Sequence, residues 1–176
     1  IAQSVSAQNQ DYLKYCPDTN SIKLIDKPKL YSKMTQSDKP IQLVLIYTNN
    51  CGGTIWAFEN IVRLDKKYPK KINFILCSSA NERSLRKMAE LCVQYEVPAD
   101  TVYIIDGTKY KNDKEDDREK GLLFRNDICK ECQKDNIGVP YHLLYNNNGV
   151  LLKSGFIDQK EIEAIIQKEL EQITRY

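Results

Sequence analysis

The amino-acid sequence predicts one α/β domain in which a central mixed sheet is flanked by helices on both faces. Short apolar runs of strand length alternate with stretches whose apolar residues recur at helical spacing, a pattern typical of parallel strands joined by helices. A turn signal, Asn146-Asn147-Asn148-Gly149, joins two later strand-like runs into a hairpin, which adds antiparallel strands. The length of 176 residues fits one domain with additional segments.

The first strand, helix and strand follow one another from residue 41. Residues 41–47 form a nearly continuous apolar run, which predicts a strand buried on both faces. After a turn, the apolar residues between Ile55 and Val62 recur at helical spacing, and this helix is expected to end before Pro69. Residues 72–77 predict a second buried strand.

The rest of the chain continues the alternation. A second amphipathic helix is predicted because Leu85, Met88 and Cys92 fall on one helical face, and Pro98 closes it. The remaining predicted elements are a strand at 101–105, a helix at 122–136, hairpin strands at 141–145 and 150–156, and a last helix that begins near Asp158.

Two segments are expected to lie outside the regular domain. Residues 1–40 mix polar and charged residues with short apolar pieces, which predicts an irregular N-terminal extension. Residues 106–121 predict a solvated insertion, because 106–120 hold six acidic and five basic residues without an apolar period. The regular domain is therefore expected to span 41–176, interrupted by this insertion.

The first residues are similar to the end of an export signal. Small residues precede a glutamine in Val5-Ser6-Ala7-Gln8, as in the tail of a secretory signal peptide. Export would place the six cysteines in a compartment where disulfides form. We therefore expect a periplasmic or extracellular protein.

Composition argues against several functional classes. The 26 basic and 24 acidic residues are interspersed, so no basic patch for nucleic acid is expected. No apolar run approaches the roughly 18 residues that a membrane-spanning helix needs. A single histidine leaves too few ligands for a histidine metal site, and no cofactor is indicated. Cysteine is therefore the residue type expected to carry the chemistry.

Cys51 lies at the predicted turn between the first strand and its helix. A helix N-terminus carries about half a positive charge and presents unpaired N–H groups, so it stabilises a thiolate. This placement predicts a reactive thiol. The neighbouring side chains of Tyr47 and Asn50 are expected to contact a partner molecule.

The order of elements, with Cys51 at the first strand-to-helix turn and Val139-Pro140 directly before the hairpin, resembles the thioredoxin superfamily. The resemblance spans roughly residues 41–170 and is closest to the exported TlpA/ResA type. It implies that Cys51 is the nucleophile and that a cis peptide bond precedes Pro140. It also implies that Val139 aligns a substrate chain, and that the partners are protein or small-molecule thiols and disulfides.

The sequence departs from the Cys-x-x-Cys motif of that superfamily, because it reads Cys51-Gly52-Gly53-Thr54. Thr54 stands where the resolving thiol would be, and its hydroxyl cannot form a disulfide. A mixed disulfide at Cys51 must then be released by another cysteine or by an external thiol, or not at all.

Cys129 and Cys132 do have the CxxC spacing, on the helix predicted before Pro140. If Asn126 or Asp127 caps that helix, Cys129 lies in its first turn, where a thiolate is favoured. One hypothesis makes either residue a relocated resolving cysteine. The alternative is a structural disulfide, either between the two residues or with Cys16.

The other candidate side chains are expected to be structural. Cys77 ends a core strand and Cys92 lies on an apolar helix face, so both are predicted to be buried and unreactive. His142 is predicted to be a structural residue on a strand, and Trp56 is expected in the core. The candidate catalytic residues are thus Cys51, Pro140, Thr54, Cys129 and Cys132, and the candidate substrate-binding residues are Tyr47, Asn50 and Val139.

Three functions follow from these residues. The first is a thiol-disulfide oxidoreductase of the cell envelope, with Cys51 as nucleophile and Cys129 or Cys132 as a resolving residue. The second is a peroxiredoxin-like thiol peroxidase, because Thr48 and Cys51 fit the Thr-x-x-Cys part of that motif, although Val44 stands in place of its proline. The third is a redox-inactive binding module on a thioredoxin-like fold.

Overall fold

The structure, a computed structural model, describes residues 23–49, 51–80, 85–110, 116–135 and 138–174. Its regular elements are, in chain order, β1 (Leu24–Ile25), α1 (Lys27–Thr35), β2 (Ile41–Tyr47), α2 (Gly52–Lys67), β3 (Ile72–Ser78), α3 (Leu85–Gln94), β4 (Val102–Ile105), α4 (Asp117–Ile128), β5 (Tyr141–Asn146), β6 (Leu151–Gly155) and α5 (Gln159–Thr174). Short 3-10 helices cover Ala99–Thr101 and Glu131–Lys134. None of these helices is long and apolar enough to cross a membrane.

One six-stranded sheet has the order β1-β4-β3-β2-β5-β6. Strand β2 lies at its centre, parallel to β3 and antiparallel to β5. All seven residues of β2 are buried, as the uninterrupted apolar run predicts for a strand that is covered on both faces. The predicted α/β class with a mixed sheet is confirmed.

Side-chain alternation along the strands separates two hydrophobic cores. Leu43 and Leu45 of β2 face α2, α3 and α5, whereas Val44 and Ile46 face α1 and α4. Successive residues of a strand point to opposite faces, so one buried run supplies both cores. The prediction of helices on both faces is therefore confirmed, and it places α2 and α4 on opposite sides of the sheet.

The N-terminal segment differs from the irregular extension expected for residues 1–40. Strand β1 pairs in parallel with β4, and α1 buries Leu30 against the sheet. Asp26 caps α1 by accepting the Lys29 amide at 3.0 Å, and its carboxylate also pairs with Lys109. Residues 23–40 thus belong to the domain, while residues 1–22, including the signal-like segment, lie outside the described part of the chain.

The charged stretch expected to be a solvated insertion is partly structured. Asp116 caps α4 by accepting the Arg118 amide at 2.8 Å, so the helix begins five residues before the predicted start at 122. Tyr110 is buried and packs edge-on against Phe124, with 5.2 Å between the ring centroids. The segment therefore contributes packing to the α4 face of the sheet and is not simply a surface loop.

Candidate active site at Cys51

Cys51 is the N-cap residue of α2, with extended backbone angles of φ −97° and ψ 125°. Its carbonyl accepts the Thr54 amide at 2.9 Å, and its side chain is only partly buried. Its side chain makes no capping hydrogen bond to α2, and in general the unpaired N–H groups of a helix N-terminus favour a negative charge nearby. The strand, turn and helix predicted around Cys51 are thus present.

The chain before β5 faces this sulfur. The Val139–Pro140 peptide bond is cis, and Cys51 Sγ lies 3.4 Å from the Val139 carbonyl oxygen, a distance at which the thiol donates a hydrogen bond. A Cβ atom on Gly53 would come within 2.9 Å of Pro140 Cδ. Glycine at position 53 is therefore what allows the proline ring to pack directly on the first turn of α2.

Thr54 has a structural role in this turn. It is 1% exposed, and its hydroxyl donates a hydrogen bond of 2.7 Å to the Thr48 carbonyl. This hydrogen bond connects the first turn of α2 to the residue that follows β2. Thr54 therefore supplies no reactive group, although its side chain lies at the predicted position one helical turn after Cys51.

Cys129 and Cys132 form a disulfide with each other, with 5.3 Å between their Cα atoms. This is one of the alternatives that the spacing left open. The expected position of Cys129 in a first helical turn is wrong, because α4 ends at Ile128 and Cys129 is its C-cap. Carbonyl groups, not N–H groups, surround a helix C-terminus, so it does not stabilise a thiolate.

The disulfide also lies on the other side of the sheet from α2. Cys129 and Cys132 are 4% and 1% exposed and pack with Val44, Ile46 and Tyr141 in the core beneath α4. In this oxidised state neither sulfur is a thiol that could attack a mixed disulfide. A resolving role for either residue stays a prediction that requires reduction of the disulfide first.

Of the two side chains predicted to contact a partner, one is buried and one is not described. Tyr47 is 0% exposed and packs edge-on against Phe58, with 5.0 Å between the ring centroids. It shares the sheet face of Leu43 and Leu45, which turns its ring into the core, so the predicted contact with a partner is wrong in this structure. Asn50 lies outside the described residues.

His142 is a buried residue of β5, as predicted. It is 1% exposed and lies edge-on to Trp56 and Phe156, at 6.4 Å from each ring centroid. Burial lowers the pKa of His142 to about 4, although a hydrogen bond with the backbone of Gly155 opposes this shift. The imidazole is therefore neutral at pH 7. Its Nδ1 atom has no hydrogen-bond partner within the described residues.

The two other described cysteines outside the disulfide are buried in the cores. Cys77 and Cys92 are both 0% exposed, and burial raises the pKa of the Cys77 thiol far above its usual range. Both observations agree with the prediction of unreactive side chains. Cys51 is thus the one described free thiol that solvent reaches.

Helix α4 also contributes to this site, which was not predicted from the sequence. A Cβ atom on Gly121 would lie 3.4 Å from side-chain atoms of Val139, Ile46 and Ser79, so the helix packs closely against the strand ends. Lys120 is buried there, and its ammonium donates a hydrogen bond of 2.7 Å to the Ala80 carbonyl. Gly121, Phe124 and Ile128, at spacings of three and four residues, form the helical face that could have revealed this packing.

The fold is similar to that of solved thioredoxin-like proteins. A thioredoxin-like protein from Aeropyrum pernix matches with a TM-score of 0.54 and 13% identity, over 77% of this chain and 81% of that one. A thioredoxin-like protein solved in its oxidised form matches with a TM-score of 0.54 and 14% identity, over 80% of this chain and 84% of that one. A secreted disulfide oxidoreductase from Mycobacterium tuberculosis matches with a TM-score of 0.50 and 11% identity, over 76% and 84%.

At these identities the likeness shows a thioredoxin-like fold and nothing more. No protein-family model matches the sequence, and no curated protein matches it. The side chains of the site are therefore the basis for assigning a function.

The two glycines that follow Cys51 provide a matched pair of substitutions. We expect Gly53→Ala to lower the free energy of unfolding by about 1–3 kcal/mol, because the new methyl group would overlap Pro140. Gly52→Ala meets no atom within 4 Å and is expected to be neutral or to stabilise the helix by up to about 1 kcal/mol. Urea unfolding of both variants measures the difference, and equal effects would contradict the packing described here.

The buried His142 predicts a pH-dependent stability. The unfolded chain takes up a proton on its histidine below about pH 6.5, whereas the folded chain resists protonation until about pH 4. Stability should therefore fall as the pH is lowered from 7 to 4, by about 2–4 kcal/mol from this group.

Two measurements check this expectation. The chain has one histidine, so its ring signal in NMR spectra reports the folded pKa directly. The loss of stability between pH 7 and pH 5 that is due to His142 should be absent in His142→Leu. A midpoint near 6.5 in the folded protein would show that His142 is not buried as described.

Proposed function

We propose that this protein is a monothiol thiol-disulfide oxidoreductase in which Cys51 forms mixed disulfides with protein or small-molecule substrates. The observation that carries the proposal is the position of Cys51, a partly exposed thiol at a helix N-terminus with its Sγ 3.4 Å from the Val139 carbonyl oxygen. The two other described cysteines outside the disulfide, Cys77 and Cys92, are fully buried.

The proposed reaction has two exchange steps. The Cys51 thiolate attacks one sulfur of a substrate disulfide, the S–S bond breaks, and the other half leaves as a thiolate that takes up a proton. A second thiol then attacks the substrate sulfur of the mixed disulfide. The Cys51 thiolate is released, and the bound part of the substrate leaves in a new disulfide with the attacking thiol. The two steps together exchange one disulfide for another without net oxidation.

Two backbone features lie beside the Cys51 sulfur, the Val139 carbonyl oxygen and the N-terminus of α2. The thiol proton is held by the Val139 carbonyl, and this contact becomes unfavourable for a thiolate. The N–H groups at the start of α2 are then the favourable partners of the sulfur. Val139 is only partly buried, which supports the proposal that its backbone aligns the substrate chain beside Cys51.

Release of the mixed disulfide is assigned to an external thiol while the Cys129–Cys132 disulfide is intact. Thr54 occupies the position of the usual resolving residue, and its hydroxyl is engaged with Thr48. Cys129 or Cys132 can act as the resolving residue only if the disulfide is reduced and the segment moves to the other side of the sheet.

We also propose that the protein is exported and acts in the periplasm or outside the cell. The disulfide between Cys129 and Cys132 supports this, because structural disulfides persist in oxidising compartments. The helices and strand inserted between β3 and the Val139–Pro140 turn fit the TlpA/ResA type of thioredoxin-like protein.

Restoring the second thiol tests the proposal. Thr54→Cys should create a resolving residue and raise the rate of insulin reduction by dithiothreitol on the order of tenfold or more, because an intramolecular thiol replaces an external one. Thr54→Ser keeps a hydroxyl at this position and should behave as the unmodified protein does. Cys51→Ser should abolish exchange in either background.

The alternative functions give different results in the same assays. Consumption of hydrogen peroxide without exchange of disulfides would favour a thiol peroxidase. Absence of any reaction at Cys51, with a folded protein, would favour a binding module. Either result would contradict the proposed function.

A further inference from the structure

We propose that Arg118 gives this site a preference for disulfide substrates that carry negative charge beside the reacting sulfur. This inference rests on the proposed function, since it concerns the molecules that exchange with Cys51. It assigns a role in specificity to a residue of α4, a helix that the chemistry at Cys51 does not use.

The Arg118 guanidinium lies against the backbone that leads to the site. A Cβ atom on Gly138 would be 3.3 Å from both Nε and Nη2 of Arg118, so the glycine leaves the space that the guanidinium occupies. Gly138 directly precedes Val139, whose carbonyl contacts Cys51 Sγ. Any molecule bound along Val139 therefore approaches the arginine.

The position of Arg118 is fixed by the packing of α4. Two residues further along, Lys120 is buried and bonded to the Ala80 carbonyl, and Gly121 packs against Val139. The Asp116 carboxylate caps the helix at the Arg118 amide. The first turn of α4 is thus held from both sides, and Arg118 extends from it toward Gly138.

Arg118 is the cation of this turn whose charge is available to a ligand. Within the described residues it takes part in no salt bridge and is exposed, whereas Lys120 is buried and its ammonium is bonded to the Ala80 carbonyl. The exposed guanidinium of Arg118 is therefore the group expected to attract an anion.

The size of the effect follows from the distance. The path from Arg118 through Gly138 and Val139 to Cys51 is on the order of 10 Å, since successive Cα atoms are about 3.8 Å apart. This is close to the Debye length at physiological salt, which is about 8 Å. We therefore expect about a twofold change in rate for each unit of charge beside the reacting sulfur, and this change should be sensitive to salt.

Three small disulfides of different charge test the inference. The probes are dithiodipropionate, which is a dianion, bis(2-hydroxyethyl) disulfide, which is neutral, and cystamine, which is a dication. The rate of mixed-disulfide formation at Cys51 is measured with each probe by intact-protein mass spectrometry. The comparison includes the unmodified protein, Arg118→Gln, Arg118→Glu and a control, Arg63→Glu.

Arg63 makes a matched control because it lies on α2, about 18 Å along the helix axis from Cys51 at about 1.5 Å per residue. It is exposed, and its guanidinium donates to Asn60 on the same helix. The control carries the same change of charge as Arg118→Glu, but its distance from the sulfur is more than twice the Debye length of about 8 Å.

The inference predicts a change in the ratio of the dianion rate to the dication rate. This ratio should fall about three- to tenfold in Arg118→Gln and further in Arg118→Glu, with little change for the neutral probe. It should stay constant in Arg63→Glu, and the difference should shrink at 1 M salt.

An unchanged ratio in both Arg118 variants would overturn the inference, and so would an equal change in Arg63→Glu. Reaction with the neutral probe would still support the proposed function in those cases. Failure of all three probes to react with Cys51 in the unmodified protein would overturn the proposed function and this inference together.

Discussion

The antiparallel pairing of β5 with β2 is the interaction on which the site depends. Its register places Tyr141 opposite Ile46, so β5 begins where β2 ends. The residues that precede β5 and the residues that follow β2 therefore meet at one edge of the sheet. Without this register, the Val139 carbonyl and Cys51 Sγ would not come within 3.4 Å of each other.

Two glycines and one hydroxyl group allow the turn before α2 and the segment before β5 to pack closely. Gly53 leaves room for the Pro140 ring on the first turn of α2, and Gly138 leaves room for the Arg118 guanidinium beside the same backbone. Thr54 closes the turn before α2 through its bond to the Thr48 carbonyl. The residue that removes the usual second thiol thus stabilises the turn that presents the first one.

The sequence predicted the strands and the Cys51 turn because both depend on local signals, an apolar run and a turn before a helical period. It did not predict β1, since two residues show no periodicity and pair only through β4. The start of α4 was not predicted because it lies in a charged stretch, where few residues belong to the buried face of the helix. Tyr47 was expected to contact a partner because it lies close to Cys51 in the sequence, whereas it shares the sheet face of Leu43 and Leu45 and packs against Phe58.

The central claim is that Cys51 is the thiol through which this protein reacts, and one measurement tests it directly. The protein is exposed to excess glutathione disulfide, and its peptides are then mapped by mass spectrometry without reduction. The account predicts a glutathione adduct on Cys51, with Cys129 and Cys132 still joined to each other. An adduct on Cys77 or Cys92 with Cys51 unmodified, or opening of the Cys129–Cys132 disulfide before Cys51 reacts, would contradict it.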